Sequence, residues 1–173
     1  VTLATVEICE SNGAGETVSH NISNLNIGST DASALTPASY PLEPSTNAFE
    51  KWVRFHVSAN ADGNTIDNLK VWISTGANPQ SYVTFKTNCR ESSYDGAQTY
   101  AQPSATDRSA TYDYTQNMPV SEPTGANLGI GGSLSGSITT TGYSDYCIIQ
   151  GQVGASATEG SSVTLTFQYD ETA

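Results

Sequence analysis

Few residues in this 173-residue chain are equipped for bond-making chemistry: two histidines, His20 and His56, and three cysteines, Cys9, Cys89 and Cys147. A histidine placed with a serine and an aspartate can act as a general base. Ser and Asp occur all along this chain, so their closeness in sequence to a histidine carries no information. Both imidazoles are therefore read as solvated or interface groups. The cysteines form no C-x-x-C pair and lie too far apart for a local zinc site. Their odd count excludes full pairing. Buried thiols of a reduced compartment are the favoured reading, with one disulfide as the alternative. Asp62, Asn64 and Asp67 share one loop and could offer oxygens to calcium. The set lacks an EF-hand's ligands, and Asx side chains in turns mostly cap their own backbone. No G-x-S-x-G, H-E-x-x-H or Walker A motif is present. Gly129-Ile130-Gly131-Gly132 matches a phosphate loop in composition only, with no helix following. The expectation is a protein with no catalytic residue, no cofactor and no metal.

Aromatic side chains carry more. Alternation puts Trp52 and Trp72 on the polar faces of two strands, and an exposed Trp ordinarily has a partner. Such faces can stack on sugar rings or anchor a protein interface. A third reading covers both faces of the sheet and buries the two indoles. Tyr94, Tyr100, Tyr112 and Tyr114 fall in one long polar region and extend the interface set, since Tyr supplies contact area at low entropy cost.

The elements that must position these residues are strands. Five- to eight-residue alternations bounded by Gly, Pro, Asn and Asp recur along the chain. They fall at Thr2–Ile8, Phe49–Val57, Ile66–Ile73, Ser81–Thr87, Leu128–Ile138, Asp145–Val153 and Ser162–Tyr169, with poorer patterns at Thr17–Ile27 and Ala110–Tyr114. Phe49–Val57 and Ile66–Ile73, joined by a turn-rich loop with an Asp-Gly step, are expected to pair at the centre of a sheet. No segment keeps a 3.6-residue period. The fold class is all-β: one domain over 1–173, an antiparallel sandwich, jelly-roll-like, with about eight to nine strands. Two long loop regions, 28–48 and 88–126, exceed ordinary lengths, as functional or partner-ordered loops do.

Composition narrows the partners. Seventeen acidic and six scattered basic residues give a net charge of −11. No basic cluster tracks phosphates, so nucleic acid is not an expected partner. No apolar run is long enough for a membrane span, and no basic stretch precedes an apolar one at the start, as in a secretory signal. An acidic surface keeps densely displayed copies apart.

Five stretches stand out: Glu10-Ser11-Asn12-Gly13-Ala14-Gly15-Glu16, Phe49-Glu50-Lys51-Trp52-Val53-Arg54-Phe55, Ile66-Asp67-Asn68-Leu69-Lys70-Val71-Trp72, Gly142-Tyr143-Ser144-Asp145-Tyr146-Cys147-Ile148-Ile149-Gln150 and Leu165-Thr166-Phe167-Gln168-Tyr169-Asp170-Glu171. Together they resemble small structural proteins of tailed bacteriophages. The resemblance implies a virion component with an antiparallel β fold. It would decorate or cement the capsid surface, with the major capsid protein as partner and a homotrimer as its own state. Tail attachment uses the same physics. No active-site residue comes with the resemblance. The alternative is a carbohydrate-binding module with Trp52 and Trp72 as its stacking platform.

Overall fold

Alternating apolar residues give strands, and the computed structural model, which describes residues 1–13, 18–94, 116–160 and 162–173, is built from them, with one 3-10 turn at Pro37–Ser39 and no α-helix among the described residues. The strands are β1 (Thr5–Ser11), β2 (Val18–Ser19), β3 (Lys51–Ala59), β4 (Thr65–Thr75), β5 (Val83–Thr87), β6 (Cys89–Arg90), β7 (Ser93–Tyr94), β8 (Gly142–Tyr143), β9 (Cys147–Val153) and β10 (Thr164–Thr172). One sheet runs β2-β1-β3-β9-β5, with β8 continuing the line of β9 along β3. A second contains β4 and β10, and β6 with β7 makes a small ribbon. Every pairing is antiparallel.

The two sheets face each other as an antiparallel β-sandwich. Phe55 and Val57 of β3, Leu69, Val71 and Ile73 of β4, Phe85 of β5 and Ile149 of β9 share one buried cluster. Phe167 of β10 meets Phe55 edge-on at 5.6 Å. Burial of such side chains, about 1.5–3 kcal/mol each, is the main favourable contribution.

Three expectations change. The strands over Phe49–Val57 and Ile66–Ile73 do not pair; they lie in opposite sheets and meet across the core. The connecting loop is an arch rather than a hairpin. The Asn60 side chain accepts from Asn64 N at 2.9 Å and donates to Asn64 O at 2.7 Å, closing a turn that crosses between sheets. Leu128–Ile138 is not a strand. It touches β4 through the isolated Ile66–Ile138 bridge and folds back on itself at Ile130 and Ser133. Region 28–48 forms no strand, as expected, yet it is anchored rather than loose. Leu35 is buried, and Gly28 lies so close to Tyr40 that a Cβ there would stand 2.7 Å from the Tyr40 carbonyl oxygen. The expected strand near 110–114 lies outside the described residues.

Candidate functional site

Two places on the sandwich combine chemistry with access: the outer face of the large sheet, and a cleft between the sheets.

On the outer face, period-two alternation puts Glu7 and Cys9 of β1 on one side. The β1–β3 register sets Glu7 opposite His56 and Cys9 opposite Arg54. Beyond β2 the chain turns at Asn21, whose φ of 50° is left-handed, and Ile22 N donates to Ile8 O. That turn lays His20 over the same spot. His56 Nδ1 is 2.8 Å from Glu7 Oε1, and His20 Nδ1 is 3.3 Å from both Glu7 Oε1 and Cys9 Sγ. Ligand atoms of all four side chains lie within 4.8 Å of one another. Cys9 is fully buried and His20 half exposed. The hydrogen bond with His56 holds the Glu7 carboxyl below the usual carboxylate range, against the opposing effect of burial, and the hydrogen bond with His20 adds to the lowering. Burial, with the Glu7 charge adding to it, pushes the Cys9 thiol up to about 11. A fully buried, protonated thiol is a poor nucleophile. Tyr143 stacks on His56 at 4.2 Å and 11°, and the Arg54 guanidinium sits 3.9 Å from the Tyr143 ring centre.

The expected interface aromatics are placed differently. Trp52 does share a side with Arg54 and His56, but that side is covered. Its exposure is 0%, its Nε1 donates to Glu50 Oε2, and Tyr146 packs edge-on at 5.2 Å. Trp72 is 9% exposed, on the side of β4 from which Lys70 reaches Glu122. Both indoles therefore follow the third reading, in which each face of a sheet is covered, and neither offers a flat stacking surface. Tyr94 ends β7, its backbone opposite Cys89, and its side chain lies outside what is described. Tyr100, Tyr112 and Tyr114 lie outside the described residues. No disulfide joins the cysteines, and all three are buried. Asp62 accepts from Thr2 N, and Asn64 turns its amide nitrogen to Thr2 O and Glu171, so the suggested calcium loop instead holds the chain's first residues.

The cleft, about 980 Å³, opens between the sheets beside β10. Ile8, Val53, Phe85 and Ile149 line one wall, Val163, Leu165 and Phe167 the other, and Leu25, Pro37 and Leu42 close the end. β10 pairs with β4 on one edge, and no described strand pairs its other edge. Sequence reasoning saw each strand's apolar face but not this opening, because an edge is a property of the strand order.

No family model, curated protein or solved structure matches this chain.

Proposed function

We propose that this chain is a non-enzymatic virion structural protein that decorates the capsid exterior and bridges neighbouring major capsid subunits. The observation that carries the reading is the open edge of β10 beside the apolar cleft. Soluble proteins commonly blunt a sheet edge with Lys, Pro or a cover. β10 has neither Lys nor Pro, and its stretch Leu165-Thr166-Phe167-Gln168-Tyr169 is uncharged. Unpaired backbone next to an apolar groove suits an added strand: the main chain supplies hydrogen bonds, and alternate side chains fill the groove. The occupant is an extended segment of a neighbouring shell subunit. A second copy of this chain is disfavoured there, because each copy carries −11.

The carbohydrate-binding alternative loses its support with the burial of Trp52 and Trp72. Among the described residues Tyr143 is an exposed ring on the face that carries Trp52, and its surface is already taken by His56 and Arg54. The trimeric state rests on the family resemblance and would use another surface.

Gold labelling of native particles with serum raised against the chain is the test. Dense, regular label over the heads is expected. Label confined to tails would move the protein to the tail, and particles without label would refute the virion reading. Leu42→Glu puts a charge at the end of the cleft, at a side chain outside the packed core, and should abolish incorporation while leaving the urea midpoint near that of the unaltered chain. Undiminished incorporation would exclude the cleft as the docking site.

A further inference from the structure

We propose that Glu7, Cys9, His20 and His56 form a zinc site on the outer face of the large sheet. This inference does not rest on the proposed virion role.

The donor set is one that zinc takes: two imidazoles, one thiolate and one carboxylate. Thiolate and carboxylate together neutralise the dication. With metal–ligand bonds of roughly 2.0–2.3 Å, the corners of a tetrahedron stand about 3.3–3.6 Å apart. The His20–Glu7 and His20–Cys9 separations are both 3.3 Å. As a charge-assisted hydrogen bond the first is long, since such bonds run at about 2.7–2.9 Å, while the second is an ordinary nitrogen–sulfur contact. As tetrahedral edges they fit. The 2.8 Å His56–Glu7 contact must open by about half an ångström for an ion to replace the shared proton, and the remaining pairs, which lie within 4.8 Å, must draw in toward the tetrahedral edge.

The ligands come from rigid and adjustable parts in useful proportion. Glu7, Cys9 and His56 sit on paired strands, so their spacing is set by the β1–β3 register. His20 hangs from the turn after β2 and is 46% exposed at its side chain, which leaves a route for the ion and a ligand able to close over it. Tyr143, stacked on the His56 ring, fixes that imidazole's plane. Once bound, the ion ties β1, the turn after β2 and β3 together at the border of the sheet. That is the work of a cross-link in a chain whose cysteines form no disulfide.

The experiment uses the full chain, stripped with a strong chelator and titrated with Co(II), then with Zn(II) against a chromophoric competitor. One equivalent of Co(II) should give the intense visible bands of a four-coordinate ion and a thiolate-to-cobalt charge-transfer band. Zn(II) should displace it and raise Tm. Cys9→Ser should remove the charge-transfer band. Because Cys9 is buried and its variant can misfold, His20→Ala, at an exposed turn, is the second test. It should leave far-ultraviolet dichroism unchanged and weaken zinc binding at least about tenfold. A weak six-coordinate cobalt spectrum without charge transfer, or zinc affinity unaltered in His20→Ala, would overturn the site.

Discussion

Lys51 shows how much one residue can hold. Its side chain is 1% exposed, and Nζ donates to Glu10 Oε1 at 2.5 Å and to the Ala32 carbonyl at 2.6 Å. The contact joins β1, β3 and the anchored 28–48 region. Lys51→Met would leave the Glu10 carboxylate buried without its cation, and breaking such a pair costs about 3–5 kcal/mol. Urea unfolding should show that loss, and Glu10→Leu added to Lys51→Met should recover most of it. A single-variant loss below about 1 kcal/mol would mean the pair is solvated. Half of this was legible in the sequence. Lys51 shares the strand parity of Val53, Phe55 and Val57, so its place on the inward face is local information. Which of 17 acidic residues supplies the counter-charge depends on the β1–β3 register, and no local pattern encodes that. The half-exposed counterpart joins buried Lys70 to exposed Glu122 at 2.8 Å. The hydrogen bond from Lys70 holds the Glu122 carboxyl below its ordinary value. A folded value below the unfolded one means the pair's contribution is present above the unfolded value and is lost as pH falls through the folded one. NMR titration should place the Glu122 midpoint below that of a free glutamate and raise it in Lys70→Met. An unchanged midpoint would show that the contact does not persist in solution.

At the scale of elements, buried asparagines stand in for missing strands. Asn127 Oδ1 accepts from Val71 N and its Nδ2 donates to Val71 O, both at 2.8 Å, along the edge of β4 away from β10. Asn88 serves Ile148 N and Tyr146 O in the same way, and Asn12 serves Trp52 N and Glu50 O. All three are 0% exposed. A carboxamide presents a donor and an acceptor side by side, as a peptide group does, so it can complete a ladder where no strand runs. Asn127→Ala would orphan two buried backbone groups at about 1–3 kcal/mol each. A loss of about 2–6 kcal/mol in urea unfolding is expected, and an effect within 0.5 kcal/mol or so would mean water substitutes freely. This device explains where sequence reading stopped. Alternation located β1, β3, β4, β5, β9 and β10 within a few residues, because apolar faces are local. Asn reads locally as turn or surface, so its use as internal scaffolding stayed hidden. So did the Asn60–Asn64 arch that sends β3 and β4 to opposite sheets. The candidate metal cluster was half visible for the same reason. Glu7-x-Cys9 and Arg54-x-His56 each share a strand face, but only the pairing brings the two faces together.

For the whole molecule, the imbalance between sheets sets what is stable and what is available. In the large sheet β3 and β9 are paired on both edges, while β10 pairs on one edge and borders the cleft. Local opening follows the number of buried contacts and paired edges, so amides of β10 should exchange faster than those of β3 and β9. A segment lodged in the cleft should slow β10 selectively. Equal protection of β10 and β3 without any partner would mean its edge is already closed. Self-assembly is the opposite test, because it must occur despite −11 on every copy. Repulsion between like-charged subunits is screened over roughly 10 Å at 0.1 M salt and over about 30 Å at 0.01 M. A trimer of this chain should therefore be tightest at high salt and loosen as salt is removed. Light scattering should read three times the 18.2 kDa chain mass at high salt, falling toward a single chain at low salt. A mass of one chain at every salt concentration would exclude the homotrimer. Under the proposed decoration role, the capsid lattice would then have to supply all of the multivalency.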